Sequence, residues 1–224
     1  MTDLTQNTES LLAPALAHSR YLQQLLFRHA DLAQETREQL AQPYTRANME
    51  AQLSAIFELD DQALKRRLRQ LRQAVMARLI SRELAGLSDL TEVMHTISDL
   101  AEVTLAAALA WVSQPDARYG QPIGEESGQV QELIIVGMGK LGGRELNVSS
   151  DIDLIFIFPE DGQTTGPRKI SNSEYFALIG KRLISLIGEI TDEGFVFRVD
   201  MRLRPFGDVG PLACSFAALE GYLL

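Results

Sequence analysis

Two apolar runs are separated by a short glycine-rich segment, and their spacing restricts the fold more than any other feature of the chain. The runs are ELIIVGM at residues 132–138 and DLIFIF at residues 153–158, and both have the length and side chains of buried β-strands. Parallel strands need a connection of about a dozen residues or more, usually a helix. Only the segment GRELNVSS separates Gly142 from Asp151, so a parallel crossover between the runs is excluded.

The glycines between the runs spell GxGxxG, the pattern of dinucleotide-binding turns, at Gly137, Gly139 and Gly142. That motif also requires a long helix after the glycines and an acid about 20 residues further along. Glu160 or Asp161 satisfies the second requirement, but the segment is too short for the helix. A P-loop is excluded as well, because the chain has no Gly-Lys-Ser/Thr. The remaining interpretation is a phosphate loop that leads into a pair of metal-binding carboxylates.

Asp151 and Asp153 form that pair, and their spacing at the start of a strand places both on one face. Two carboxylates this close repel each other unless a positive charge lies between them. Magnesium prefers oxygen ligands and is commonly held by one or two carboxylates together with substrate phosphates. The alternative is that both acids only solvate a strand end or cap a turn after Ser149 and Ser150.

A third apolar run, in GFVFRVDMRLRPFG at residues 194–207, favours the metal interpretation. Apolar and polar residues alternate along this run. The predicted core face consists of Phe195, Phe197, Val199, Met201 and Leu203. The opposite, polar face consists of Arg198, Asp200, Arg202 and Arg204. On a strand beside the Asp-x-Asp strand, Asp200 supplies a third carboxylate for a two-metal site. The arginines and Lys140 can meet phosphate oxygens. Local pairing of the arginines with the acids is the simpler alternative, and both can hold together.

The first half of the chain has a different hydrophobic pattern, in which apolar residues recur at helical spacing. We predict a helical region at 1–114, a Gly- and Pro-containing linker at 115–130 and a catalytic domain at 131–224. Long helices are predicted at Asp89–Trp111 and at Asn172–Ile190, the latter capped by Ser171 or Ser173. The final residues, CSFAALEGYLL, read as the opening of an unfinished helix, so we expect a truncated chain.

Composition excludes several classes of protein. A formal net charge of -9 argues against a nucleic-acid binder, and we interpret the arginines of the helical stretch at residues 63–84 as a solvated helix face: Arg66, Arg67, Arg69, Arg72 and Arg78. The N-terminus lacks a basic stretch followed by an apolar one, and by the sequence pattern we expect no apolar run of the ~20 residues that a membrane span needs. Cys214 is the only cysteine, which excludes an internal disulfide. We therefore expect a cytoplasmic protein without a membrane or nucleic-acid partner.

The glycine turn, the Asp-x-Asp pair and the later strand aspartate resemble the DNA polymerase β-like nucleotidyltransferase superfamily. The strings GMGKLGGRELNVSSDIDLIFIF and RVDMRLRPFGDVGPL specifically resemble the bifunctional glutamine synthetase adenylyltransferase/adenylyl-removing enzymes of nitrogen metabolism. The resemblance implies an α+β fold: an N-terminal helical bundle followed by a polymerase β-like sheet with flanking helices, incomplete at the C-terminus. Members are several times longer and carry two nucleotidyltransferase domains, of which this chain is expected to be the first.

For the first domain the resemblance implies adenylyl removal, in which phosphate takes AMP from a modified tyrosine of glutamine synthetase and ADP is released. The second half of the longer proteins attaches AMP from ATP. The partners implied are glutamine synthetase, ATP or ADP, phosphate and, for the full-length family, a PII-type signal protein. The implied cofactor is Mg²⁺, in a two-metal arrangement.

Residue by residue, the resemblance assigns metal binding and catalysis to Asp151, Asp153 and Asp200. The nucleotide and phosphate contacts that it implies are Gly139, Lys140, Gly142, Gly143, Ser149, Ser150, Arg202 and Arg204. Lys140 departs from the superfamily pattern, because its position is usually held by serine or glycine. Two rival functions stay open: a fragment of the same fold that is inactive or only binds nucleotide, and an RNA nucleotidyltransferase, against which the acidic charge argues.

Overall fold

The computed structural model describes the backbone of residues 2–224 and the side chains from Ser10 onward. Contacts within the chain define two compact units, one formed by residues 1–103 and 144–149 and the other by residues 104–143 and 150–224. The α+β class is confirmed, while the polymerase β-like fold in particular stays a prediction. The boundaries of these contact-based units differ from the domain boundaries predicted at residues 114 and 130. The predicted division into functional domains stays a prediction.

The first unit is helical, as the apolar spacing predicts. Its helices are α1 (Thr2–His18), α2 (Arg20–Arg28), α3 (Ala30–Glu38), α4 (Arg46–Gln52), α5 (Asp61–Leu84) and the first part of α6 (Leu90–Val112). Side chains stop and start these helices, since Ser19 caps α2 and Asp60 caps α5 by accepting hydrogen bonds from backbone N–H groups. Helix α5 packs against α1, α2 and α3, and the fully buried Leu64, Leu68 and Leu71 follow its predicted apolar stripe.

The solvated-face interpretation of α5 is wrong for two of its arginines. Arg66 and Arg67 are exposed, but Arg69 and Arg78 are buried. Arg69 donates to the carbonyl of Lys65, one turn earlier on the same helix. Arg78 pairs with Glu35 and lies 4.3 Å from the centroid of the Tyr44 ring. The aliphatic parts of both arginine side chains are buried, and their guanidiniums have polar partners. The charge of an arginine was therefore not enough to predict that its side chain is exposed.

Helix α6 corrects a second expectation. By length and composition this helix could cross a membrane, which contradicts the expectation that no apolar segment of the chain is long enough to do so. However, 56% of its most apolar 18-residue window is buried inside the protein, as in a core helix. One such helix is weak evidence for a membrane span, and packing explains its apolar composition. Its bounds agree with the predicted helix at residues 89–111.

The segment between the glycine turn and the Asp-x-Asp pair belongs to the helical unit. Arg144, at its start, has a positive φ of 56° and donates to Asp99 and Glu102 of α6, at 2.8 Å each. Arg46 of α4 pairs with the same two carboxylates. Two arginines and two acids thus form a network that holds this segment against α4 and α6.

The second unit contains the sheet. Its strands are β1 (Pro122–Gly124), β2 (Ile134–Met138), β3 (Ile152–Phe158), β4 (Gly162–Thr164), β5 (Val199–Asp200) and β6 (Ala213–Ser215). Its helices, besides the end of α6, are α7 (Gly139–Gly142), α8 (Asn172–Gly188) and α9 (Phe216–Leu223). β2 and β3 pair antiparallel, which agrees with the exclusion of a parallel crossover. The first half of β3 pairs in parallel with β5, and its second half pairs in parallel with β6.

Helix α8 covers the sheet, and its predicted start is confirmed by a capping box in which Ser171 and Glu174 bond each other's backbone N–H groups. The rings of Phe158 on β3 and Phe176 on α8 lie 4.9 Å apart between their centroids. Gly180 allows a close approach, because a Cβ there would lie 2.8 Å from the ring of Phe156. This packing places α8 against β3, which is the central strand of its sheet.

Two predicted elements differ from the structure. The long strand expected in FVFRVDMRL is reduced to Val199 and Asp200, and the expected core residue Leu203 is exposed. Consecutive residues Val196 and Phe197 are both buried, so the chain there does not alternate as a strand does. The predicted linker contains β1, which pairs antiparallel with β4 and therefore belongs to the folded second unit.

Candidate active site

The turn after β2 brings the backbone of Gly139 against the Asp-x-Asp strand. Met138 and Asp153 are paired across β2 and β3, so Gly139 follows directly at the end of the hairpin ladder. Gly139 has a φ of +52°, and a Cβ added to it would lie 2.7 Å from Oδ2 of Asp153. Glycine is thus required twice here, once for the left-handed backbone and once for the space that the Asp153 carboxylate occupies.

The other glycines of the turn have different surroundings. A Cβ on Gly142 would lie 2.7 Å from the carbonyl oxygen of Gly137, so this glycine allows the short helix α7 to fold back on β2. The N–H of Gly143 donates to the carbonyl of Gly139 at 3.1 Å. Lys140, within α7, is exposed. The predicted phosphate contacts of Lys140, Gly142 and Gly143 stay predictions.

Two of the three predicted catalytic aspartates lie side by side. Asp153 of β3 and Asp200 of β5 are direct partners in a parallel ladder, so their side chains leave the sheet on the same face about 5 Å apart. Asp151 precedes β3 and shares the face of Asp153 by the alternation of the strand. The link between β3 and β5 is continued by a hydrogen bond from the N–H of Ile152 to the carbonyl of Arg198, at 3.0 Å.

Arginines are paired with two of these acids. Arg198 forms an ion pair with Asp151, and Arg202 forms one with Asp200 through both its Nε and a terminal nitrogen. Hydrogen bonds from the Arg202 side chain, followed by one from its backbone N–H, hold the pKa of Asp200 below its usual range. The pKa of Arg202 is raised, chiefly by Asp200, and Asp153 also contributes to the rise. The local pairing expected as an alternative is therefore present.

Arg198 was placed on the polar face by the sequence but was not among the contacts that the resemblance implies, although it lies two residues before Asp200 in a sequence predicted to alternate. That spacing was a signal for its position beside the acids. Arg204, whose role in anion binding stays a prediction, is largely buried, with 12% of its side chain exposed. It donates to the carbonyl of Met201 at 2.7 Å and lies 3.5 Å from Asp208, while its buried Nε has no hydrogen-bond partner among the described residues.

The predicted serines fall on either side of a unit boundary. Ser149 belongs to the segment that groups with the helical unit, and both its N–H and its hydroxyl donate to Oδ1 of Asn147 at 3.1 Å. Ser150 belongs to the second unit, directly before Asp151. Their predicted roles toward phosphate stay predictions.

The residues around Asp153 have the chemistry of a divalent-cation site. The candidate ligands Asp151, Asp153 and Asp200 are all carboxylates, which are the donors that Mg²⁺ prefers, and Gly139 leaves room for one of them. Within the described part of the chain, no group of three or more acidic, histidine or cysteine side chains is already arranged to hold a metal ion. The carboxylates of Asp151 and Asp200 are instead directed toward the guanidiniums of Arg198 and Arg202.

Comparison with known proteins decides the family. The family model for glutamate-ammonia ligase adenylyltransferase matches residues 9–224. The chain belongs to this family. The resemblance of the two long sequence strings to glutamine synthetase adenylyltransferases is thereby confirmed.

Curated relatives share the name bifunctional glutamine synthetase adenylyltransferase/adenylyl-removing enzyme. The protein from Chromobacterium violaceum is 54% identical over 218 residues, which cover 97% of this chain and 24% of the relative. The protein from Ralstonia nicotianae is 50% identical, with 96% of this chain and 23% of the relative covered. The protein from Nitrosomonas eutropha is 48% identical, with 98% and 24% covered. The chain thus spans about a quarter of the length of these relatives.

Proposed function

We propose that the second unit of this chain is a metal-dependent nucleotidyltransferase centre that removes the adenylyl group from modified glutamine synthetase. The observation that carries the proposal is the register of β3 and β5, which pairs Asp153 with Asp200 beside the glycine turn. Adjacent carboxylates on one face of a sheet, with a turn of small residues next to them, are suited to a divalent cation and a phosphate.

In the reaction that we propose, phosphate attacks the phosphorus of the AMP group on a tyrosine of glutamine synthetase. The bond from that phosphorus to the tyrosine oxygen breaks, ADP forms, and the tyrosine oxygen takes a proton. When bound, Mg²⁺ supplies positive charge that stabilises the phosphate oxygens in the transition state. The chain's own contribution is positioning and electrostatics, which account for most of the catalysis in phosphoryl-type transfers.

Each residue has a part in that proposal. Asp153, Asp200 and Asp151 would hold the cation from one face of the sheet. Gly139 keeps the turn close to Asp153. The Arg202 side chain, which is 77% exposed, has the reach and the charge to meet phosphate oxygens, and the exposed Lys140 of α7 has the same charge. We expect the reaction in the cytoplasm, and a PII-type signal protein as a regulator of the longer family members.

Removal, rather than attachment, of AMP is the finer part of the proposal. The names of the relatives contain both activities, and this chain covers about a quarter of each relative. The helical first unit followed by a single glycine and aspartate centre fits the adenylyl-removing half that the resemblance implies. The name of the relatives also supports glutamine synthetase as the partner.

The test is a pair of assays on purified chain with Mg²⁺. Adenylylated glutamine synthetase and phosphate are expected to yield ADP, whereas unmodified glutamine synthetase and ATP are expected to give no transfer. Asp153→Asn is the loss-of-function control, and its circular dichroism spectrum should match that of the unchanged chain. Transfer from ATP without ADP release would assign the attaching activity instead.

A nucleotide-binding module without catalysis is the second candidate, and one observation favours it. Asp151 and Asp200 are both paired with arginines in the structure, an arrangement that also suits a protein without a metal. This candidate predicts calorimetric binding of ADP with neither activity in the two assays. That combination of results would overturn the enzymatic proposal.

A further inference from the structure

Two exposed arginines flank Asp200 and bind the acids that are candidates to hold the cation. Nε of Arg198 donates to Oδ1 of Asp151, and the Arg202 side chain donates to both carboxylate oxygens of Asp200. Sixty per cent of the Arg198 side chain and 77% of the Arg202 side chain are exposed. Asp153, the central acid, is within electrostatic reach of Arg202.

A guanidinium and a divalent cation compete for the same carboxylate oxygens. A carboxylate has about four lone-pair sites, so each N–H bond that it accepts from arginine occupies a site that a metal ion could use. Exposed ion pairs contribute little net stability, since long side chains lose freedom and water screens the charges. An arginine in such a pair can therefore leave at small cost when a stronger cation arrives.

We propose that Arg198 and Arg202 are counter-ions that hold the carboxylates of Asp151 and Asp200 in the absence of metal, and that binding of a divalent cation displaces both guanidiniums. This inference rests on the proposed function, because it concerns the same cation site. The arginines neutralise acids that would otherwise repel one another across β3 and β5. Once displaced, they remain tethered next to the cation, where they can bind an anionic phosphate. Metal binding then precedes phosphate binding.

The chain offers a matched control for this idea. Arg118 binds Asp116 by the same set of bonds as Arg202 uses with Asp200, including a backbone N–H bond of 2.8 Å in both cases. Asp116 forms an isolated bridge with Gly120 rather than with another acid. Removing Arg118 therefore removes an equivalent ion pair without changing a carboxylate of the cation site.

The first experiment is calorimetric titration of the whole chain with Mn²⁺. Arg198→Gln and Arg202→Gln are each expected to bind Mn²⁺ about fivefold more tightly than the unchanged chain, a factor that corresponds to the loss of one exposed ion pair as a competitor. Arg118→Gln is expected to leave the affinity unchanged. Arg198→Lys keeps the charge but loses the Nε bond, and its affinity should lie between those of the unchanged chain and Arg198→Gln.

Three outcomes are distinguished. Tighter binding by both glutamine variants supports displacement. Unchanged or weaker binding by both variants, with normal binding by the unchanged chain, overturns the counter-ion role and leaves the cation site of the proposed function in place. Absence of Mn²⁺ binding in every variant overturns the cation site itself, and the counter-ion role with it.

A second readout follows the arginines directly. In ¹⁵N NMR spectra of the whole chain, the Nε–H signals of Arg198 and Arg202 are expected to shift and to lose exchange protection as Mg²⁺ is added. The Nε–H signal of Arg118 should stay where it is. If Mg²⁺ binds and none of the three signals changes, displacement does not occur and the proposal is wrong.

Discussion

The same local motif, an aspartate followed two residues later by an arginine, occurs twice in the second unit. Asp116 with Arg118 and Asp200 with Arg202 share the bond from the arginine N–H and the bonds from its guanidinium, and both arginines are more than two-thirds exposed. The two motifs differ in their surroundings. Asp116 lies in a turn closed onto Gly120, whereas Asp200 lies on a strand in register with Asp153. Long-range strand pairing, rather than the motif itself, therefore distinguishes a candidate site from an ordinary turn.

The largest difference in Mn²⁺ binding is expected between replacing Asp153, the strand partner of Asp200, and replacing Asp116. Asp153→Asn removes the carboxylate next to Gly139 and is expected to weaken Mn²⁺ binding by more than about 100-fold, because loss of even an indirect ligand contact costs about 10–100-fold. Asp116→Asn should leave Mn²⁺ binding unchanged. The measurement is calorimetry at fixed ionic strength, and equal effects of the two substitutions would remove the distinction.

Weakening the strand pair should have the next largest effect. Ile152 is fully buried and is paired with Val199, so Ile152→Ala is expected to lower the free energy of unfolding by about 2–5 kcal/mol. Ile123→Ala, in the half-buried β1, should lower it by less and leave Mn²⁺ affinity unchanged. Urea unfolding followed by the fluorescence of Trp111, the one tryptophan of the chain, reports on this unit. Unaltered Mn²⁺ affinity in Ile152→Ala would show that strand pairing does not organise the acids.

Two glycines with similar backbones test the space beside Asp153. Gly139 and Gly128 have φ values of +52° and +63°, so alanine is expected to cost about 1–2 kcal/mol of backbone strain at either position. Only at Gly139 would the added Cβ meet a carboxylate, since nothing lies within 4 Å of a Cβ at Gly128. Gly139→Ala should therefore also weaken Mn²⁺ binding, while Gly128→Ala should not. Equal Mn²⁺ affinities in the two variants would contradict this account of the turn.

The smallest difference between the two motifs is expected in the pKa values of Asp116 and Asp200. Arg118 lowers the pKa of Asp116 to about 2, and Arg202 lowers the pKa of Asp200. Because both folded-state values lie below the unfolded value, each pair stabilises the fold above pH 4 or so, and that contribution is lost as the pH falls through the lowered pKa. Carboxyl ¹³C NMR should show both low values. Arg118→Gln and Arg202→Gln should each raise the pKa of only the neighbouring aspartate, and Mg²⁺ should perturb only Asp200.

Much of this site could be predicted from the sequence, because residues that are close together in the chain determine how β2 and β3 pair and which face the aspartates share. The short connection between the apolar runs requires the antiparallel pairing of β2 and β3, and the two-residue spacing of Asp151 and Asp153 sets their common face. The adjacency of Asp200 was predicted as well, although β5 is two residues long and not the extended strand expected. Two paired residues were enough to place one carboxylate beside another.

The parts that could not be predicted depend on contacts between distant segments. Arg78 and Arg69 are buried because Glu35 and a helix carbonyl satisfy them, and no local pattern indicates such partners. Arg144 joins the helical unit through Asp99 and Glu102 of α6, so the unit boundary does not follow the Gly- and Pro-containing linker predicted at 115–130. Arginines of this chain thus form a buried ion pair with Glu35, a network with Asp99 and Glu102, and exposed ion pairs with Asp116 and Asp200.

The most direct test of the central claim is a crystal structure of the chain grown with Mn²⁺ and measured for anomalous scattering. The account predicts an anomalous peak within about 2.5 Å of carboxylate oxygens from both Asp153 and Asp200, with Arg202 turned away from Asp200. It predicts no peak at Asp116. A fully soaked crystal without a peak between Asp153 and Asp200, or with Mn²⁺ only at other acids, would contradict it.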